Sequence, residues 1–341
     1  MLEKIKIGIS QGDINSISYE VIIKTLMDKR ITEICTPIIY GSPKVAAYHR
    51  NTLEIESFSL NNISSADQAN SQRINIIDCF EEELKVELGK STEIAGLASY
   101  KALDKATEDL KSGMIDALVT GPINKDNIQS DKFSFPGHTE FLKERLEAEE
   151  VLMFLVSDNV RVGVVVGHKP ISEIPSLITK ENILQKINIM NRALIEDFGI
   201  RKPKIAVLGL NPHAGDNGLI GKEEIEHIIP AIDEAREKGV MALGPYSADG
   251  FFGSQEYLKF DAILAMYHDQ GLAPFKALAF DSGVNYTAGL PAVRTSPAHG
   301  TAYGIAGLNK ASIESFRSAL YMAIDACRKR KEYKNLSKNP L

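Results

Sequence analysis

Three of the seven histidines in this 341-residue sequence share one setting. His168 in VVVGHKP, His213 in GLNPHAG and His268 in AMYHDQG each follow a short apolar run, where the pattern puts the carboxyl end of a strand. Ligands gather at that edge of open α/β sheets, because loops from several strands converge there and nearby helices begin with free N–H groups. Three neutral imidazoles with no carboxylate among them would make an open divalent-metal site that leaves positions for water or substrate and keeps the full charge of the ion. Their separations of 45 and 55 residues match no local zinc-binding spacing. Only the tertiary fold can join them, and a hydrogen bond by which each histidine caps its own loop is the plainer alternative.

Two further groups suit an anion. In FPGHTEFL, His138 and Thr139 follow a Pro-Gly turn that allows close approach of a phosphate or carboxylate, with Thr139 as a helix N-cap the simpler reading. The stretch FKALAFDSGVNYTAGLPAVRTSPAHGTAYGIAG, residues 275–307, holds Lys276, Asn285, Arg294 and His299 in what reads as a loop of small residues. Arginine can grip a phosphate or carboxylate through two parallel hydrogen bonds, although a surface ion pair is the default for any isolated Lys or Arg. There is no GxGxxG after the first apolar run, no GxxxxGK[ST], no GxSxG and no HExxH. An ordinary dinucleotide fingerprint, a P-loop, a serine hydrolase and a zincin are all unsupported.

The elements that must carry these residues alternate. Apolar runs at 5–9, 37–40, 117–119, 205–210 and 262–266 read as strands, and amphipathic stretches at 19–28, 92–111, 181–197, 222–238 and 311–330 read as helices. That alternation predicts an α/β fold with a largely parallel sheet. The β-branched runs 151–156 and 160–166, split by Ser157-Asp158-Asn159, predict a hairpin and make the sheet mixed. The basic tail from Arg328 to Lys338 reads as a solvated helix end.

The composition is that of a globular protein: 44% apolar, 25% charged, with 39 basic against 45 acidic residues for a net charge of −6. A mild acidic excess gives no reason to expect nucleic acid or an anionic membrane as partner, so an anionic substrate would need a local cationic pocket or a metal. The cysteines at 35, 79 and 327 form no CxxC and no disulfide framework. The opening MLEKIKIGISQGD shows no charged leader before an apolar run, and no stretch approaches the ~18 apolar residues of a membrane span. The expected location is the cytoplasm.

Taken together, GDIN at 12–15, TGPINK at 120–125, FPGHTEFL at 135–142, VGHKP, LNPHAGDNG, ADGFF, MYHDQGLAPFK and NYTAGLPAVRTSPAHGTAYGIAG resemble the 4-hydroxythreonine-4-phosphate dehydrogenase family of vitamin B6 synthesis, collinearly from about Lys4 to Arg328. The resemblance implies an isocitrate/isopropylmalate-dehydrogenase-like fold, with two α/β/α domains flanking a cleft: residues 1–130 with 271–341 as the first, and 131–270 as the second, carrying most metal ligands and the dimer interface. It further implies a homodimer whose active site is completed at that interface. One divalent cation per subunit, zinc, magnesium or cobalt, would be held by His168, His213 and His268 from both subunits. His138, Thr139, Lys276, Asn285 and Arg294 would contact a phosphorylated hydroxy amino acid. The loop PAHGTAYGIAG, through His299, Gly300, Thr301 and Ala302, would hold NAD or NADP without the usual glycine fingerprint. The family's first loop, GDPAGIGPE, stands here as Gly12-Asp13-Ile14-Asn15-Ser16-Ile17-Ser18-Tyr19-Glu20, which loses a proline and glycines and is expected to alter the cleft wall.

The chemistry so implied is oxidation of a secondary alcohol β to a carboxylate, then decarboxylation of the β-keto acid. Asp269 and Asp249 are the candidate bases, or the partners that orient the histidines. Two rivals stand beside it: a dehydrogenase of the same family acting on 4-phospho-D-threonate or 4-phospho-D-erythronate, and a non-catalytic metal-binding protein on the same fold.

Overall fold

The computed structural model describes residues 4–338. Twelve strands follow in chain order: β1 (Ile5–Ser10), β2 (Cys35–Gly41), β3 (Asn61–Ile63), β4 (Asn75–Asp78), β5 (Ala117–Thr120), β6 (Leu152–Val156), β7 (Arg161–Val166), β8 (Lys204–Leu208), β9 (Met241–Tyr246), β10 (Ala262–Tyr267), β11 (Val284–Ala288) and β12 (Val293–Pro297). The chain divides into two compact units, residues up to 148 with 290–327, and 149–289 with the residues from 328 on.

The sequence reading put the first unit's boundary at 130 and its return at 271, and the structure moves both. Residues 131–148 stay with the first unit because Phe133, Phe135 and Phe141 pack on one another and on Tyr100, and Arg145 pairs with Asp104. Residues 271–289 stay with the second because β11 pairs antiparallel with β6, Asn285 opposite Leu155. The basic tail is likewise more than a solvated helix end. Arg330 Nε donates to Asp197 Oδ1 at 2.6 Å, and the Tyr286 hydroxyl donates to the other oxygen of this buried carboxylate.

In the first unit the strands run β3-β4-β2-β1-β5-β12, every neighbouring pair parallel. Ile7, Ile9, Ile38 and Ile39 are fully buried, as expected of strands covered on both faces. The helices start where the sequence provides caps. Ser42 and Thr92 accept hydrogen bonds from Val45 N and Ala95 N at the heads of Pro43–Thr52 and Glu93–Lys111, each cap stabilising by about 1 kcal/mol.

In the second unit the order is β11-β6-β7-β10-β8-β9. The expected hairpin is present: β6 pairs antiparallel with β7, Phe154 opposite Gly163, and Ser157 N donates to Val160 O across the turn. The pairs β7·β10, β10·β8 and β8·β9 are parallel, so the architecture is mixed and mainly parallel α/β. The supposed loop at 275–307 is mostly regular structure. It comprises the end of the helix His268–Ala279, then β11 and β12 on either side of a turn at Gly289, whose φ is 93°. Glycine and proline around short strands hid them from a periodicity reading. The expected helix at 222–238 begins instead with a wide π turn, Glu224–Ile228, before Ile229–Glu237.

Candidate active site

The strand order β7-β10-β8 puts the three histidines after the carboxyl ends of three adjacent parallel strands. His168 lies two residues beyond β7 and His268 directly follows β10, so the pairing of Val166 with Tyr267 brings their rings to 5.6 Å between centroids, tilted by 44°. His268 Nδ1 donates to Asp269 Oδ1 at 2.6 Å, which fixes the tautomer and leaves Nε2 as the acceptor nitrogen. A cavity of about 280 Å³ opens here, lined by His168, Lys169, Ile171, Tyr267, His268 and Asp269 among others.

His213 does not join that pair within one chain. It sits exposed in a turn beyond β8, and among the described residues no three His, Cys, Asp or Glu side chains converge as a metal-holding group. Its electrostatic neighbour is Asp249, whose carboxyl is held below its ordinary range first by a hydrogen bond from the Ser247 hydroxyl, at 2.5 Å, with a smaller contribution from His213.

The anion residues divide between the units. Arg294, on β12 of the first unit, is 1% exposed, and its Nη2 donates to Thr120 Oγ1 at 2.7 Å, at the end of neighbouring β5. Burial pulls the guanidinium down to about 9, with Glu140 acting in the opposite direction. It stays cationic at neutral pH, and an anion beside it would offset the cost of its burial. His138 opens the helix His138–Arg145 with Thr139 next to it. The cap is Gly137 and no side chain caps this helix, so Thr139 lies inside it. Burial, then the charges of Arg294 and Lys125, hold the His138 imidazole well below its usual value, and its Nε2 is buried without a hydrogen-bond partner among the described residues. In the second unit Lys276 is exposed in the last turn of its helix, and Asn285 on β11 has a buried Oδ1 with no partner among the described residues.

The segment His299, Gly300, Thr301, Ala302 is irregular, with Ala302 in the left-handed region at φ 45°. His299 Nδ1 donates to Gly300 O at 3.0 Å, burial lowers the ring's pKa, and Nε2 remains a buried acceptor without a partner among the described residues. Tyr303, which sequence reasoning missed, donates from its hydroxyl to Asp13 Oδ2 at 2.7 Å. The fully buried Asp13 also receives Asn127 Nδ2 and Asn15 N. The retained Asp13 was a signal for this network; nothing in the sequence pointed to Tyr303.

The altered first loop is tied down rather than loosened. Asn15 Nδ2 donates to Lys90 O and Thr92 Oγ1, Ser16 Oγ to Asp13 O, Ser18 Oγ to Gln11 O, and the Tyr19 hydroxyl to Gln11 Oε1. Gly12, at φ 67°, is the one residue of this loop that needs the left-handed region, and it is kept.

Residues 33–323 match the family model described as pyridoxal phosphate biosynthetic protein PdxA. The 4-hydroxythreonine-4-phosphate dehydrogenase of Bacteroides thetaiotaomicron is 57% identical over 340 residues, covering 99% of this chain and 93% of that protein. A relative from Oceanobacillus iheyensis, 36% identical over 95% of this chain and 98% of its own length, is named for D-threonate 4-phosphate instead. The crystal structure of 4-hydroxythreonine-4-phosphate dehydrogenase from Klebsiella pneumoniae superposes with a TM-score of 0.83 at 32% identity, over 96% of this chain and 98% of that one. The chain therefore belongs to the PdxA family and is an oxidoreductase.

Proposed function

We propose that the chain oxidises 4-phosphooxy-L-threonine with NAD or NADP to a 2-amino-3-oxo acid, which loses carbon dioxide to give 3-amino-2-oxopropyl phosphate in vitamin B6 synthesis. The observation that carries this reading is the imidazole pair His168 and His268, with Asp269 on the far nitrogen of His268, at the carboxyl ends of two adjacent parallel strands. That donor set fits a divalent cation such as zinc, magnesium or cobalt, held by His168, His268 and His213 of a second copy in a homodimer. The exposure of His213, and of Leu219 at 80% and Ile225 at 49% close to it in the chain, supports a second copy covering this face.

The cation would supply Lewis-acid polarisation of the substrate hydroxyl, and the nicotinamide would accept the hydride. Asp269 orients His268, and Asp249, ionised by the Ser247 hydrogen bond, is the acceptor available near His213. Arg294, His138, Thr139, Lys276 and Asn285 are the residues assigned to the anionic groups of the substrate. The His299 Nε2 acceptor and the irregular backbone through Ala302 suit a nucleotide hydroxyl or amine.

The Oceanobacillus relative's name favours one specific rival, a phosphorylated threonate that lacks the amine. Steady-state assays of 4-phosphooxy-L-threonine against 4-phospho-D-threonate, each with NAD and with NADP, decide between them. The expected result is a kcat/KM at least about 100-fold higher for the amino acid, abolished by a chelator and restored by a divalent cation. Turnover of the threonate alone, or full turnover in metal-stripped protein, would overturn the reading.

A further inference from the structure

From His213 to Asn217 the backbone φ values are 54°, 51°, 79°, 43° and 56°, five consecutive residues in the left-handed region. Only Gly215 among them is a glycine. An L-residue in this conformation costs on the order of 1 kcal/mol or more, so four of them among five residues persist only where the surroundings impose them.

A buried carboxylate lies against this run. Glu224 is 2% exposed, and its two oxygens accept from Asn211 N at 2.7 Å and from Asn211 Nδ2 at 2.9 Å. The same Nδ2 also donates to Glu223 Oε2 at 2.7 Å. The left-handed run hangs from Asn211, whose carbonyl accepts from Ala214 N. Beyond the run, Leu219 N donates back to Asp216 O and Ile220 N to Gly215 O. The carboxylate fills the inside of the turn: a Cβ on Gly215 would stand 2.6 Å from Glu224 Oε2, and one on Gly209 would stand 3.1 Å from Oε1. Glu224 is itself the first residue of the π turn Glu224–Ile228, and such widened turns recur at functional sites. A second tether holds the same segment, since Gln270 Nε2, two residues beyond His268, donates to Gly209 O at 2.7 Å.

We infer that Glu224 is a positioning residue for His213: it holds Asn211 through both oxygens and so fixes the left-handed turn that presents the imidazole to a divalent cation. This rests on the reading of His213 as a metal ligand. Glu224 need not touch the cation or the substrate. Its effect should therefore fall on metal affinity before it falls on the stability of the metal-free protein.

The test strips the full-length protein with a chelator and measures zinc affinity by competition with a chromophoric indicator, alongside the melting temperature of the stripped protein and kcat over a zinc titration. Glu224→Gln keeps the shape but sets an amide donor against Asn211 Nδ2. It should weaken zinc about 10–100-fold, with kcat recovering at high zinc. Gly215→Ala, which displaces the carboxylate without removing it, should shift zinc affinity the same way. Unchanged zinc affinity in both variants, whatever happens to melting, would overturn the role. His213→Ala run in parallel separates the two ideas. If it loses zinc and Glu224→Gln does not, only the positioning role falls; if His213→Ala keeps zinc, the ligand reading falls and this inference with it.

Discussion

At the scale of single residues, burial works against positive charge at two of the proposed anion-binding groups. Arg294 is fully enclosed and drawn down to about 9 by burial, while His138 beside it is kept neutral by burial and by the positive charge of Arg294 and Lys125. Both effects have the same sign: the surroundings of these two side chains disfavour positive charge and would be relieved by an anion. Arg294→Met should therefore raise the KM for the phosphorylated substrate by about 100-fold or more while leaving the urea midpoint of the unliganded protein equal or higher, since a buried cation is exchanged for an apolar chain of similar length. A lowered midpoint with KM unchanged would make Arg294 a structural residue. The types and spacing of His168, His213, His268 and Arg294 were legible in the sequence. Glu224, Tyr303 and Thr120 were not, because their roles arise from partners that are distant along the chain in the last two cases and, for Glu224, from a backbone conformation that no periodicity reports.

At the scale of elements, close contact and not propensity decides some positions. Gly96 lies inside the helix Glu93–Lys111, where alanine would be favoured by about 1 kcal/mol on propensity alone. A Cβ there would stand 1.8 Å from Asn127 O. Gly96→Ala should destabilise by about 1–3 kcal/mol despite the better helix former, read as a lower urea midpoint. It should also disturb Asn127, whose side chain donates to Asp13. A stabilised variant would show that the helix can shift freely, contrary to this packing. Long helices and apolar strands were readable because burial imposes their period on the sequence. The strands β3, β4, β9, β11 and β12 were not, being short or broken by glycine and proline, with the pairing of β11 and β12 supplied by strands far away in the chain.

At the scale of the whole molecule, the proposed metal site draws on two copies; within one chain His168 and His268 approach each other, and no three His, Cys, Asp or Glu side chains converge among the described residues. Mixing His168→Ala protein with His213→Ala protein after reversible dissociation should restore about a quarter of wild-type turnover, since half of randomly formed dimers are mixed and each carries one intact site of two. No recovery, with mixed dimers confirmed by mass, would place all three ligands on one chain. The sequence by itself determined the α/β alternation, the hairpin at 151–166 and the membership that its motifs carry, since each is written in local periodicity or in contiguous residues. Only the tertiary structure decided where the units divide, which two imidazoles meet, and that a buried carboxylate lies against the turn bearing the third. Those outcomes depend on strand order and on hydrogen bonds formed after the chain has folded back, so the linear pattern holds no trace of them.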